Sequence, residues 1–281
     1  MGEITRNGLI AEYHFDGNAK DSSEKGNNGS VSGSVYIDGK FGQALSFDGE
    51  NDFVRVPDSI SLNPTSLTIE AWIFVNSSKS SWHSILTKMD KLQDSGYELY
   101  IIQQNIPRFG LVSKGTKKVT DGNYIPLNKW TYIAATYDRR ALVLYVNGEF
   151  DSYDEKTGFL GTASKEDLYI GSWGDVDYFS GAIDEVRIYN RALSDLEIKE
   201  NFKSAINPVN QTTTPSITTE PTIQPTATIE ISTPAITSNP APVPKLTQEP
   251  TPLMTKKSPG FSSIFVFMAF FFCILFLRRF S

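Results

Sequence analysis

The chain has 281 residues, a formal net charge of −6 and a composition close to the globular average. That length allows one large domain or two small ones with a sizeable core. The mild acidity argues against nucleic acid as the main partner, because phosphate binding needs a basic patch. The single cysteine, Cys273, excludes a disulfide framework in the rest of the chain.

Residues 5–206 are predicted to form one all-β domain. Runs rich in β-branched and aromatic residues recur about every 10 residues, with turn residues between them. Leu67–Val75 and Trp130–Asp138 are the strongest of these runs. Asn147-Gly148 lies between two further runs and predicts a β-hairpin. We therefore expect a two-sheet antiparallel sandwich.

A short helix is predicted near the end of this domain. Ser194 can cap its start, and Glu197 three residues later completes a capping box. Leu196, Ile198 and Phe202 are the apolar residues of the segment. We expect the helix to dock on the edge of the sandwich.

Five segments resemble, in the same order, the laminin G-like, concanavalin A-like jelly-roll family. They are GLIAEYHFDGNAKDSSEKGNNG, DGKFGQALSFDGENDFVRVP, LTIEAWIFV, LNKWTYIAATYDRRALVLYVNGE and SGAIDEVRIYNRALSDLEI, and the resemblance covers roughly residues 8–203. The resemblance implies two antiparallel sheets packed face to face, with the first and last strands side by side. It also implies binding of sugars, glycans or other proteins, through loops at one rim or through a concave sheet face.

We predict no enzymatic activity. Glycosidases of this fold use carboxylates in a pattern similar to E-x-D-x-x-E. Glu149–Asp154 approaches this pattern, but its last member is Asp, and it directly follows the predicted turn, where polar residues are expected. Asp195–Glu200 lies on the predicted helix, where a charged face is expected. His14 and His83 have neither metal-ligand spacing nor a catalytic-triad context, so we expect His14 to face solvent or make a polar contact.

Acidic and amide side chains in loops suggest one structural Ca²⁺, because hard cations prefer such oxygen ligands. The candidate ligands are Asp16, Asn18, Asp21, Asp48, Asp52 and Asp184. The resemblance implies a calcium where the first and last strands meet, which makes Asp16 and Asp184 the best ligands. The alternative is that these residues bond the backbone in turns.

Aromatic residues in polar stretches are the predicted ligand-binding residues, because such rings suit stacking on a sugar face. They are Trp82, Trp173, Tyr178 and Phe179. The alternative is that these rings cover the edge of the sandwich. Trp72 and Trp130 lie in strong strand runs and are predicted to be core residues.

Three N-x-S/T triplets, at Asn28, Asn76 and Asn210, are candidate N-glycosylation sites. The third lies within a segment, residues 207–257, in which 26 of 51 residues are Thr, Pro or Ser. That segment has too little apolar surface to fold. We predict a disordered stalk that carries plausible O-glycan acceptors.

Residues 258–281 are predicted to be a membrane or sorting tail. No charge interrupts the 17 residues from Phe261 to Leu277, and Arg278 and Arg279 follow. As one apolar helix this run would span about 26 Å, slightly less than a bilayer core. The motif Pro259-Gly260-Phe261, with its flanks, resembles the PGF-CTERM signal of archaeal surface proteins. That resemblance implies that an archaeosortase replaces the tail with a lipid.

The N-terminus, MGEITRNGLIAEYHFD, lacks the basic start, apolar run and cleavage site of a signal peptide. A surface protein needs an export address, so we expect a misassigned start codon, a fragment of a longer protein, or another export route. The leading hypothesis is a carbohydrate- or protein-binding adhesion module, stalked and anchored at the cell surface. The alternatives are a surface glycoside hydrolase and a C-terminal accessory domain of a truncated longer protein.

Overall fold

A computed structural model describes residues 4–76, 82–90, 95–155 and 164–206. Within these ranges, two antiparallel β-sheets pack face to face and one α-helix follows the last strand. The predicted all-β jelly-roll sandwich is therefore confirmed. Residues 207–281, with Asn210 and Pro259, Gly260 and Phe261, lie outside the described ranges.

The elements of the described residues are the following. The strands are β1 (Leu9–Tyr13), β2 (Ser30–Ser32), β3 (Val35–Asp38), β4 (Gln43–Asp48), β5 (Phe53–Val56), β6 (Leu67–Val75), β7 (Trp82–Met89), β8 (Ser95–Ile102), β9 (Ile106–Ser113), β10 (Thr116–Asp121), β11 (Trp130–Tyr137), β12 (Ala141–Val146), β13 (Glu149–Glu155), β14 (Leu168–Ile170) and β15 (Ser180–Tyr189). The helix is α1 (Asp195–Ile206), and Ile60–Leu62 and Gln103–Asn105 are 3-10 turns.

The first sheet has the strand order β13-β12-β11-β6-β15-β4-β3, and the second has the order β10-β9-β8-β7-β14-β5-β2. The long strand β15 pairs with β4 through its first half and with β1 through its second half. Leu9 lies opposite Tyr189, so the expectation that the first and last strands are neighbours is correct.

The main core fills the space between the two sheets. Alternate residues of each strand enter it, for example Ile73 of β6, Leu99 of β8 and Ile183 of β15. A second apolar cluster lies on the outer side of the first sheet, where Trp72 and Tyr132 contact Phe202 of α1. The first sheet is therefore covered on both sides, which explains why nearly all of β6 is buried.

The helix and the hairpin follow their sequence signals in detail. The Ser194 amide donates to the Glu197 carboxylate at 2.9 Å, and the Glu197 amide donates to the Ser194 hydroxyl at 3.4 Å, so the capping box is confirmed. Asn147 and Gly148 both have positive φ, as a tight hairpin turn requires. However, α1 docks on the face of the first sheet rather than on an edge. Within the described residues, no helix has the length and apolar character needed to cross a membrane.

Candidate ligand-binding face

The side of the second sheet that points away from the core is the candidate binding surface, here called the open face. It consists of the outward residues of β5, β14, β7, β8, β9 and β10. Along β8, Leu99 and Ile101 enter the core, whereas Glu98 and Tyr100 lie on the open face. Among the described elements, no helix covers this face, in contrast to the first sheet.

A pocket of about 260 Å³ lies at one end of the open face and is here called the Trp173 pocket. Its lining residues are Thr87, Met89, Glu166, Tyr169, Trp173, Gly174, Asp175 and Val176. Tyr169 of β14 lies directly opposite Thr87 of β7. Two aromatic rings with a hydroxyl and two carboxylates at their margin form a surface that suits stacking and hydrogen bonding.

The loop that presents Trp173 is held by backbone hydrogen bonds. The Trp173 amide donates to the Val176 carbonyl at 2.9 Å, and the Val176 amide returns a bond of 3.2 Å. Gly174 has φ of 58° at this tight turn. The Ser84 amide of β7 donates to the Asp177 carbonyl at 3.0 Å, which fixes the loop to the sheet. Trp173 is therefore positioned before any ligand arrives.

A second pocket of about 260 Å³ lies at the other end of β7 and is here called the Trp82 pocket. It is lined by Trp82, Ile102, Gln103 and Arg108. The Trp82 ring stacks on Tyr100 with 5.2 Å between centroids and is 39% exposed. The Arg108 guanidinium lies 5.9 Å from the same ring.

The two remaining aromatic candidates, Tyr178 and Phe179, are consecutive residues just before β15, and they differ in burial. Tyr178 is half-buried beside the Trp173 loop. Phe179 is fully buried and packs edge-on against Phe47 in the core. The structure therefore does not support Phe179 as a ligand-binding residue, because its ring has no exposed surface to offer.

Acidic groups occupy the centre of the open face. Burial raises the pKa of the Glu98 carboxyl, although Lys117 lies 2.6 Å away and opposes the shift. Burial also raises the pKa of Asp177. Gly110 lies opposite Glu98, and a Cβ there would come within 2.6 Å of the Glu98 carboxylate. Glycine at position 110 thus leaves room for the buried glutamate.

Two of the predicted calcium ligands meet at the turn between β3 and β4. Asp16 Oδ1 accepts a hydrogen bond of 2.7 Å from the Gln43 amide, and Asp184 Oδ2 accepts one of 3.0 Å from the Phe41 amide. Asp184 is fully buried, and its Oδ1 has no hydrogen-bond partner among the described residues. Burial raises the pKa of Asp184 to about 7. A cation beside Oδ1 would satisfy this oxygen.

The six predicted ligands do not form one site. Asp48 and Asp52 lie at the opposite end of β4, about 17 Å from Gln43 at the usual rise per residue. They bond the turn between β4 and β5, where the Asp48 amide donates to Asp52. No cluster of three acidic, histidine or cysteine side chains in the described ranges is arranged to hold a metal. Any cation at Asp184 would also need backbone or amide oxygens.

The other two predicted ligands stabilise the loop after β1. The Asp21 carboxylate accepts hydrogen bonds from the amides of Glu12, Ser23 and Asn27. The Asn18 side chain bonds the backbone of its own turn. Both side chains therefore bond the backbone in turns, which is the alternative role that the sequence suggested for them.

The motifs considered for catalysis lie away from the open face. Glu149–Glu155 forms the edge strand β13 of the first sheet, and Glu149 forms an ion pair with Lys199 of α1. His14 Nδ1 lies 2.8 Å from Glu185, which raises the pKa of His14 through that hydrogen bond. The expected polar contact of His14 is thus present.

Sequence reasoning missed several residues of the Trp173 pocket, chiefly Tyr169, Thr87 and Glu166. Thr87 and Glu166 carry no distinctive local sequence signal, whereas Tyr169 lies in DLYIGSW, residues 167–173, a run of strand-like composition. What brings them together is the pairing of β14 with β7, which joins segments about 80 residues apart. The only local signal was the alternation of DLYIGSW, which places Tyr169 opposite in orientation to the buried Leu168 and Ile170.

The fold and the open face define a two-sheet jelly-roll sandwich of the lectin-like class. Residues 48–199 match the laminin G family model described as the Concanavalin A-like lectin/glucanases superfamily. Because this match covers more than half of the 281 residues, the chain belongs to that family. No match was found among curated protein sequences.

Solved structures share the fold at low sequence identity. Domain 4 of AbnA, a GH43 extracellular arabinanase from Geobacillus stearothermophilus solved with arabinotriose, has a TM-score of 0.57 and 22% identity, over 69% of this chain and 97% of that chain. The binding domain of Paraclostridial Mosquitocidal Protein 1 has a TM-score of 0.61 and 19% identity, over 72% and 53%. The botulinum neurotoxin serotype G binding domain has a TM-score of 0.59 and 18% identity, over 69% and 50%. The chain thus spans about half of each toxin binding domain.

Proposed function

We propose that the chain is a non-catalytic glycan-binding module displayed at the cell surface. The observation that carries this proposal is the Trp173 pocket, in which Trp173 and Tyr169 form an aromatic platform with polar groups at its margin. Sugar rings stack on such platforms through their apolar C–H faces, while margin carboxylates and hydroxyls accept or donate hydrogen bonds. Among its structural neighbours, the AbnA domain was solved with an arabinose trimer, and this supports a glycan as the partner.

Display at the surface is proposed from the C-terminal segments of the sequence, residues 207–281. The Thr/Pro/Ser-rich residues 207–257 would act as a spacer, and residues 258–281 would act as a membrane anchor or as a PGF-CTERM signal for an archaeosortase. Exposed side chains at Asn28 and Asn76 support N-glycosylation there. Either fate of the tail leaves the folded domain at the outer surface of the cell membrane.

Replacing Trp173 by Ala tests the binding role. We expect the affinity for glycans bound by the native full chain to fall at least about 10-fold, because a central aromatic anchor is removed. The measurement is a glycan array followed by titration calorimetry on the full chain in mild detergent. Phe150→Ala is the matched control, because Phe150 is 57% exposed on β13 of the other sheet. Equal binding by the native chain and Trp173→Ala would remove Trp173 from the site.

The second candidate function is glycoside hydrolysis, favoured by the raised pKa values of Glu98 and Asp177 on the same face. A raised pKa is what a general acid needs at neutral pH. The ion pair between Glu98 and Lys117 instead favours binding alone, because it occupies the carboxylate. Release of reducing ends from polysaccharide, abolished by Glu98→Gln, would favour the hydrolase.

We also propose one structural Ca²⁺ at the turn between β3 and β4, held by Asp184 and Asp16 together with nearby backbone oxygens. Chelation should then lower the melting temperature of the full chain by about 5 °C or more, since a bound ion stabilises the folded state. Asp184→Asn should abolish this response. Asp48→Asn, at the far end of β4, should keep it. A melting curve that chelator leaves unchanged would contradict the proposal.

A further inference from the structure

The floor of the Trp173 pocket carries a buried hydroxyl group, that of Thr87 on β7. Thr87 is 1% exposed and lines the pocket, and its Oγ1 has no hydrogen-bond partner among the described residues. Leaving a buried polar atom unpaired costs free energy, so folded proteins pair most of them. An unpaired hydroxyl that lines a cavity therefore indicates a place for a polar group of a ligand.

The rim of the same pocket carries negative charge. Glu166 and Asp175 line it, and neither carboxylate forms an ion pair within the described ranges. The ammonium group of Lys88, which is fully buried, donates to Asp58 Oδ1 at 2.7 Å and to the Glu166 carbonyl at 2.7 Å. Lys88 thus fixes the backbone of Glu166, whereas the Glu166 carboxylate is left without a cationic partner.

Two aromatic rings form the walls of the pocket. Tyr169 and Trp173 are both half-buried, and Phe53 packs edge-on against Tyr169 with 5.7 Å between centroids. A cation above the face of Trp or Tyr is attracted by the π electrons of the ring, most strongly where water is partly excluded. The walls and the rim therefore both favour a positively charged ligand group over a neutral or an anionic one.

The hydrogen-bonding groups indicate which kind of cation fits. The Thr87 hydroxyl and the two rim carboxylates can all accept N–H donors, and a primary ammonium group has three of them. A quaternary ammonium group has none and would leave Thr87 unpaired. A hard metal ion prefers a shell of oxygen ligands, which two aromatic walls do not provide. With a volume of about 260 Å³, the pocket suits one sugar unit rather than a larger ligand.

We propose that the Trp173 pocket binds the protonated amino group of an amino sugar. Trp173 and Tyr169 lie against the cation and its sugar ring. Thr87, Glu166 and Asp175 accept the N–H groups. This inference rests on the proposed glycan-binding function and names the chemical class of glycan that the pocket takes.

Three oligosaccharide series that differ only at C2 of each sugar test the role of charge. Glucosamine oligomers carry an ammonium group there, cello-oligomers carry a hydroxyl, and N-acetylglucosamine oligomers carry a neutral amide. Each series is titrated calorimetrically against the full chain in detergent, at a pH where the glucosamine amine is protonated. We expect glucosamine oligomers to bind at least about 10-fold more tightly than either neutral series. Added salt should narrow this difference.

Charge-removing variants test the rim. Glu166→Gln and Asp175→Asn should each reduce the preference for glucosamine at least about 3-fold, and leave the affinity for the neutral series unchanged. Glu200→Gln is the matched control, because Glu200 is an exposed carboxylate of α1, which packs on the first sheet. This control should keep the full preference.

Thr87→Val separates a ligand contact from a purely structural role. Valine has nearly the same shape and removes only the unpaired hydroxyl, so the melting temperature should stay the same or rise. The affinity for glucosamine oligomers should nevertheless fall at least about 5-fold, because one hydrogen-bond acceptor of the ammonium group is lost. If Thr87 served packing alone, this variant would bind glucosamine oligomers as well as the native chain does.

The outcomes separate this inference from the function on which it rests. Glucosamine oligomers that bind no more tightly than the neutral series, or a preference that both rim variants leave intact, would overturn the ammonium site. Glycan binding by the native chain could still stand in that case. Tighter binding of a lysine-rich peptide than of glucosamine oligomers would overturn the assignment to a sugar. Absence of native binding to all three series and to the glycan array would overturn the proposed function itself.

Discussion

Replacing Arg187 by Met is expected to lower the free energy of unfolding by about 3–5 kcal/mol. Arg187 is 1% exposed, and its Nε donates to Glu12 Oε1 at 3.0 Å. Its Nη2 forms an ion pair with Glu185. Methionine fills a similar volume but leaves the buried Glu12 carboxylate without its main partner, and an uncompensated buried charge is costly.

The position of Arg187 explains the size of this effect. It lies on β15 directly opposite Glu70 of β6, and Glu70 is fully buried beneath Asn201 of α1. β1 contributes Glu12 to the same cluster. The cluster thus joins β15 to its two neighbours, β1 and β6, and to α1. The loss of Arg187 therefore affects several elements at once.

Chemical denaturation of the full chain measures the effect, and a double mutant sharpens it. Glu12→Gln combined with Arg187→Met should recover part of the loss, since it removes the stranded charge. Lys199→Met breaks the exposed pair with Glu149 and should cost less than about 1 kcal/mol. If Arg187→Met costs no more than Lys199→Met, the cluster does not stabilise the fold as argued.

The pH dependence gives an independent check. Burial alone would raise the pKa of Glu12, but Arg187, with smaller contributions from His14 and Arg6, holds the pKa below its ordinary value of 4.5. In the native chain, this pair stabilises the fold above pH 4.5, and the stabilisation is lost as pH falls further. Without Arg187 the pKa of Glu12 rises, so protonation relieves the buried charge. The cost of Arg187→Met should therefore be smaller at pH 4 than at pH 7.

The strands were predictable because their signals are local. Leu67–Val75 forms β6 with the same bounds that its β-prone composition indicates, and Trp130–Asp138 differs from β11 by one residue. The turn at Asn147 and Gly148 and the capping box at Ser194 are likewise set by residues within a few positions. At each of these places the local preference and the final fold agree.

The binding face was predictable only in part, because strand order decides which distant residues meet. Trp82 and Trp173 were predicted as ligand-binding aromatic residues because they lie in polar stretches, but the sequence does not indicate that β7 begins at Trp82 and carries both pockets. Tyr178 and Phe179 are neighbours in one polar stretch, yet only Phe179 enters the core. Asp177, immediately before them, has φ of 54°, and this local reversal is invisible in residue type.

The helix shows the same division between local and distant information. Its cap could be predicted, but its docking site could not, because Trp72 and Tyr132 come from two different strands of the first sheet. Trp72 was expected in the core and is indeed buried, although it lies in the outer cluster under α1. Which apolar residue of the helix is buried therefore follows from the structure alone.

Phe202→Ala is expected to lower the free energy of unfolding by about 2–4 kcal/mol, because it opens a cavity between α1 and the first sheet. The Phe202 ring stacks on Trp72 with 5.6 Å between centroids and fills the space above the Gly148 turn. Leu196→Ala is the matched control, because Leu196 lies on the same helix but is 64% exposed and should cost less than about 0.5 kcal/mol.

Denaturation curves of both variants, with Trp fluorescence as the probe, distinguish a docked helix from a peripheral one. If α1 stabilises the sandwich through Phe202, then Phe202→Ala should also make the Trp72 environment more polar before global unfolding. Equal costs for Phe202→Ala and Leu196→Ala would mean that the sandwich does not depend on the helix.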